Sequence, residues 1–147
     1  QLIADVIGGK VTKNPQLEIG WFPVQLSEEA RKSPLFSFFP PEPIVFEWHG
    51  DTFSILPEEA VCIAENEACK NQAFIYKKKI FGFQFHLENT VEIIRALVEH
   101  CKNEMRPCLY VQSAEELEAH AEYIEQDNQW MFCFLTQLEK MDREGVL

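Results

Sequence analysis

The run Ile80-Phe81-Gly82-Phe83-Gln84-Phe85-His86-Leu87-Glu88 constrains this chain more than any other stretch, because a dense apolar segment ends abruptly in a base and an acid. Lys77, Lys78 and Lys79 precede it and Asn89 follows it, so the pattern predicts a buried strand of about seven residues between a polar turn and a helix cap. A strand buried on both faces requires helices above and below its sheet. Side chains two apart on extended chain point the same way, which sets His86 and Glu88 side by side just past the strand end. In that arrangement the carboxylate accepts from one imidazole nitrogen, fixes the tautomer and leaves the other nitrogen free to take a proton. A bare His-x-Glu occurs often by chance, but open α/β sheets gather ligands and catalytic groups outside the carboxyl ends of their strands, where this pair falls.

At 147 residues the chain is long enough for one domain, and 46% hydrophobic content with 12 phenylalanines supplies its core. A net charge of −11 argues against a nucleic-acid or anionic-membrane surface, since both need clustered lysine and arginine. Small molecules or proteins are the expected partners. No apolar stretch approaches the roughly 18 residues of a spanning helix and no signal segment opens the sequence, so the expected compartment is the cytoplasm. The five cysteines (Cys62, Cys69, Cys101, Cys108, Cys133) are odd in number and form no C-x-x-C pair. They read as small core residues in a reducing compartment, none placed between a strand and a helix as an activated thiol should be.

In chain order, Gln1 to Gly9 is a helical apolar pattern stopped by a glycine pair. Lys10-Val11-Thr12 and Glu18 to Leu26 read as two strands with Asn14-Pro15 as the turn between them. Ser33 to Pro43 has too much proline for regular structure yet carries three phenylalanines, so it is expected to be a packed loop that borders a cleft or covers a sheet edge. Ile44 to Trp48 is a strand delivering His49-Gly50-Asp51 to a turn, where Gly50 lets backbone approach a ligand; a plain hairpin turn would use the same residues. Val61-Cys62-Ile63-Ala64 and Ala73-Phe74-Ile75-Tyr76 are short strands leading to the central run. Asn89 with Glu92 suggests a capping box for a helix to about Lys102, and Ser113 with Glu116 opens a second helix carrying Leu117, Ala121 and Ile124. Gln126-Asp127-Asn128 reads as an interruption before a third helix with Trp130, Phe134, Leu138 and Met141 on its core face.

The opening Gln1-Leu2-Ile3-Ala4, the segment Trp48-His49-Gly50-Asp51-Thr52-Phe53 and the segment Gly82-Phe83-Gln84-Phe85-His86-Leu87-Glu88 occur in the order found in class I (triad) glutamine amidotransferases. The chain resembles that family, especially the stand-alone group similar to the amidotransferase domain of GMP synthase. The resemblance covers Gln1 to about Lys102 and implies a three-layer αβα, flavodoxin-like fold, incomplete at the N-terminus, with residues 103–147 as a helical C-terminal extension of the same single domain. It implies that His86 is the triad base and Glu88 its orienting acid, and that Gln1, His49, Gly50 and Asp51 contact the substrate glutamine. Leu87 stands where proline is commoner in the wider family. The family's nucleophilic cysteine, in a G-x-C-x-G elbow, would lie four residues before Gln1. The implied reaction is hydrolysis of the glutamine side-chain amide by a Cys-His-Glu triad, with L-glutamine as substrate, ammonia passed to an acceptor synthetase, and no cofactor or metal. The residues present here would then be nearly inactive by themselves, because triad members act as a unit.

Two other readings follow from the same residues. Without a nucleophile, the chain would be a non-catalytic glutamine-binding or regulatory module. His49, Asp51, His86 and Glu88 are also potential zinc or manganese ligands, although neither pair has the helical histidine spacing of common metal motifs. A doubly wound sheet that lacks its central strand exposes the flank of its neighbours, so either a further amino-terminal portion or a homodimer is expected to cover it.

Overall fold

The computed structural model describes residues 1–147, a mixed α/β chain with two antiparallel sheets and helices packed on them. Helix α1 (Leu2–Val6) leads into β1 (Lys10–Pro23), followed by β2 (Gln25–Leu26), α2 (Glu28–Lys32), β3 (Ile44–Ile55), β4 (Ala60–Glu65), β5 (Ala73–Tyr76) and β6 (Ile80–Phe83). The chain finishes with α3 (Val91–His100), a 3-10 turn, α4 (Ala114–Ala119) and α5 (Tyr123–Arg143). β1 pairs with β3, and the second sheet has the order β2-β4-β5-β6. No helix is long and apolar enough to cross a membrane.

The expected pair of strands around Asn14-Pro15 is one strand, β1, with an irregularity between Lys13 and Glu18. The Asn14 side chain holds this excursion by donating to the carbonyls of Gln16 (2.8 Å) and Ala68 (2.9 Å). Pro15, which has no N–H to give a ladder, is tolerated because it sits where the ladder is already interrupted. His49-Gly50-Asp51 is likewise no turn. It lies inside β3, because β1 extends far enough to pair Glu18 with His49 and Lys13 with Asp51.

Strand β6 covers only Ile80–Phe83, shorter than the seven residues expected, and its residues apart from Gly82 are only half-buried. After Phe83 the chain leaves β5: the Gln84 N–H donates to the Gln72 carbonyl (2.8 Å) and the His86 N–H to the Phe46 carbonyl (2.8 Å). The apolar run therefore crosses from one sheet to the other, and its hydrophobicity serves the space between them. Leu87 and Phe85 enter a core with Leu35, Phe36, Val45 and Phe134. The proline-rich segment after α2 packs there too, with Phe36 and Phe39 against Phe134 and Trp130 of α5 (ring centroids 5.5 and 5.0 Å apart).

Thr90, rather than Asn89, caps α3 by accepting from the Ile93 N–H (3.3 Å). Ser113 and Glu116 form the capping box of α4. The helix expected to run to Ile124 ends at Ala119, and α5 then passes uninterrupted through Gln126-Asp127-Asn128. These polar residues do not break the helix because Asp127 is buried and Asn128 is bonded to neighbouring backbone.

Residues before α4 dock on β1. The Ile19 N–H donates to the Tyr110 carbonyl and the Gln112 N–H to the Ile19 carbonyl, both at 2.9 Å. The Gln112 amide then bonds both backbone groups of Trp21, at 2.9 and 3.2 Å. Gly20 makes this possible: its φ is +140°, and a Cβ there would overlap the Gln112 side chain. Gly20→Ala is therefore expected to cost about 3 kcal/mol from backbone strain and steric conflict together. Urea unfolding of the variant measures this, and an unchanged midpoint would contradict the docking geometry.

Candidate active site

The crossing segment carries polar and apolar side chains alternately over residues 84–88. Leu87 is buried and faces the core, so His86 and Glu88 on either side of it face outward together. His86 Nδ1 lies 2.7 Å from Glu88 Oε1, and both side chains remain accessible to solvent, at 41% and 55%. The hydrogen bond from His86 holds the Glu88 carboxyl below its ordinary range, against a smaller opposing effect of partial burial. Glu88 thus engages Nδ1 as an ionised acceptor, which leaves Nε2 as the free ring nitrogen. None of the five thiols is hydrogen-bonded to this ring.

Beside the pair lies a buried polar network that the sequence did not reveal. Glu18 of β1 sits opposite His49 of β3, and His49 Nε2 is 3.0 Å from Glu18 Oε2 and 3.4 Å from Glu47 Oε2. Glu18 also accepts from Asn66 (2.7 Å) and Gln72 (2.9 Å). Burial pulls the His49 pKa down, but the hydrogen bonds and charges of Glu18 and Glu47 outweigh it and place the ring at about 9. Burial pushes Glu47 up to about 7, against the attraction of His49.

The Asp51 carbonyl is where this network meets the predicted substrate residues. It accepts from Gln1 Nε2 (3.0 Å), from His49 Nδ1 (2.9 Å) and from the Gln84 amide. The structure therefore brings Gln1, His49 and Asp51 together, with the His49 ring turned inward. Gly50 and Asp51 also border an open groove of about 700 Å³, shared with Lys13, Gln16, Leu17 and Arg106. The Asp51 carboxylate pairs with Lys13 at 2.9 Å.

Of the potential metal ligands, His49, Asp51, His86 and Glu88 do not form one set; the three ligand atoms that do approach within 4.8 Å belong to Glu18, His49 and Cys69. The His49 nitrogen in that trio already faces Glu18, and burial pushes the Cys69 thiol up, away from the thiolate a metal requires. The trio is better described as an internal ion pair with a neighbouring thiol that is hydrogen-bonded to Thr52 (3.2 Å).

The sequence contained one sign of this network: Glu47 stands between the aromatic residues Phe46 and Trp48 in the otherwise apolar run Ile44–Trp48. Glu18 gave none, because its partner depends on the register across the irregular stretch of β1. Asp127 was also missed. It is buried in α5 with no hydrogen-bond partner for either carboxyl oxygen, and burial pushes it up to about 8, an effect reinforced by Glu47 and Glu88 and opposed by the Phe46 backbone.

These shifts fix the pH dependence of stability. Glu47 (about 7 against 4.5), Asp127 (about 8 against 3.8) and His49 (about 9 against 6.5) all hold protons more tightly in the folded state. The contributions of the two carboxyls are complete below about pH 4 and are lost as pH rises through about 7 and 8; that of His49 is complete below about 6.5 and is lost through about 9. The melting temperature is expected to fall steadily from about pH 6 to 9, and Asp127→Asn to flatten the fall below about pH 8. A melting temperature that rises over this interval would contradict the assignment.

Fold and site together define an α/β protein that presents an imidazole–carboxylate pair to solvent beside a buried acid–histidine network. The family model for glutamine amidotransferase class-I matches residues 1–99, and the chain belongs to that family. It is 33% identical over 141 residues to the glutamine amidotransferase-like protein YfeJ of Salmonella typhimurium, a match covering 94% of this chain and 58% of YfeJ. It is 36% identical over 107 residues to the glutamine-hydrolyzing GMP synthase of Aliivibrio fischeri, covering 72% of this chain and 18% of that protein. The crystal structure of a glutamine amido transferase from Methylobacillus flagellatus superimposes with a TM-score of 0.86 at 31% identity, over 95% of this chain and 59% of that one. The expected fold class is thus found, and the chain spans a little under three-fifths of YfeJ and of the Methylobacillus protein. The family model stops before α4 and α5, whereas the matches to these two proteins take in nearly the whole chain.

Proposed function

We propose that this chain supplies the base and the orienting acid of a glutamine amidotransferase that hydrolyses the glutamine side-chain amide to glutamate and ammonia. The observation that carries this reading is the 2.7 Å contact of His86 Nδ1 with Glu88, both side chains being open to solvent. Residues 1–102 are the motif-bearing part of a single domain and 103–147 its C-terminal extension.

With Nδ1 held by Glu88, His86 Nε2 takes the proton of the elbow cysteine, which on this reading lies just ahead of Gln1. The thiolate adds to the amide carbon, and backbone N–H groups at the elbow stabilise the tetrahedral oxyanion. The imidazolium returns its proton to the departing nitrogen, releasing ammonia and leaving a glutamyl thioester. Water, deprotonated by the same ring, cleaves the thioester to glutamate and restores the thiol. Gln1, Gly50 and Asp51 contact the substrate glutamine, while His49 fixes the Asp51 carbonyl from inside. Ammonia passes to a synthetase partner, consistent with relatives named as GMP synthases.

The test is an assay of glutamate and ammonia formation by the intact protein that carries this chain. Equimolar glutamate and ammonia, formed far more slowly but still measurably by Glu88→Gln, is the expected result. Tight glutamine binding with no turnover in the presence of an ammonia acceptor would instead identify a regulatory module.

A further inference from the structure

The segment bearing Glu88 is held from outside the part of the chain that the family model matches. Asn128, in the second turn of α5, donates from Nδ2 to the carbonyl of Leu87 (2.8 Å) and to the carbonyl of Asn89 (3.1 Å). These two carbonyls flank Glu88. Both acceptors are oxygens, so the contact requires a donor, and a single amide nitrogen spans the Glu88 residue from behind. Two further anchors act on the same segment: the His86 N–H is bonded to the Phe46 carbonyl, and Leu87 packs in the same core cluster as Phe134, two turns along α5. The first fixes His86 to β3, while the backbone on either side of Glu88 depends on α5.

We propose that Asn128 is a positioning residue, setting the Glu88 carboxylate against His86 Nδ1 through the two carbonyls on either side of Glu88. The inference rests on the reading of His86 and Glu88 as base and orienting acid. It assigns a part in the reaction geometry to the C-terminal extension, which a purely covering helix would not have.

A double-mutant cycle in the intact protein tests it, with glutamate formation and glutamine KM measured for the wild type, Asn128→Ala, Glu88→Gln and the double variant. Asn128→Ala is expected to lower kcat about tenfold with KM within about twofold, since misplacing a positioned group affects the reaction geometry more than binding. In the Glu88→Gln background the same change should lower kcat by less than about twofold, because the orientation it supports is already lost. An equal loss in both backgrounds, or no loss in the wild type, overturns the assignment. Asn128→Ser goes through the same cycle under the same criteria and decides the matter if the alanine protein does not fold. Should Glu88→Gln itself leave kcat unchanged, the base-and-acid reading falls and this inference with it; a large Glu88 effect without coupling to Asn128 removes only the inference.

Discussion

Replacing His86 with alanine is expected to lower glutamate formation by the intact protein on the order of 10⁴-fold while leaving its melting temperature nearly unchanged. The two outcomes separate because of how the residue is held. Its backbone N–H, bonded to the Phe46 carbonyl, ties the crossing segment to β3 and survives the substitution. Its ring is 41% exposed, so truncation opens no cavity in the core. The ring accepts and returns protons in both halves of the proposed reaction, and no other imidazole shares a hydrogen bond with Glu88. Steady-state kinetics and thermal unfolding of one preparation check both parts. Activity within about tenfold of wild type would mean that another base serves the site.

The largest stability effect is expected from His49→Ala, at about 3–5 kcal/mol. Glu18 and Glu47 are both fully buried, and the His49 ring is the cation lying between them. Glu18 keeps its bonds from Asn66 and Gln72 when the ring is removed, but Glu47 loses the contact of its carboxylate with His49 Nε2 at 3.4 Å. Two buried acids would then face each other without compensation, a much larger cost than the cavity alone. Urea unfolding of the variant at about pH 7 measures the deficit. A loss below about 1 kcal/mol would show that the network is not held by His49.

How much of this was legible in the sequence depends on how local each feature is. The facing of His86 and Glu88 is a two-residue property, and the alternation around buried Leu87 was enough to predict it. The Ser113–Glu116 cap is equally local. The length of β6 was overestimated because hydrophobicity reports burial, and a segment crossing between two sheets is as apolar as a strand within one. His49-Gly50-Asp51 has the composition of a turn, yet lies in β3 because β1 continues alongside it, a fact decided many residues earlier in the chain. Asp127-Asn128 has the composition of a helix break and is instead an inward-facing step of α5, with Asp127 buried and Asn128 bonded to the backbone at 87 and 89. The acid–histidine network showed only Glu47 in the sequence, because its pairing with Glu18 exists only once β1 and β3 are in register.

The central claim is that His86, oriented by Glu88, activates a cysteine thiol toward glutamine, and labelling by a glutamine-mimicking chloroketone tests it most directly. In the intact protein the reagent should alkylate one cysteine outside the five of this chain, glutamine should protect it, and His86→Ala should slow labelling about a hundredfold or more. Labelling that is equally fast without His86, or that falls on Cys62, Cys69, Cys101, Cys108 or Cys133, would contradict the account.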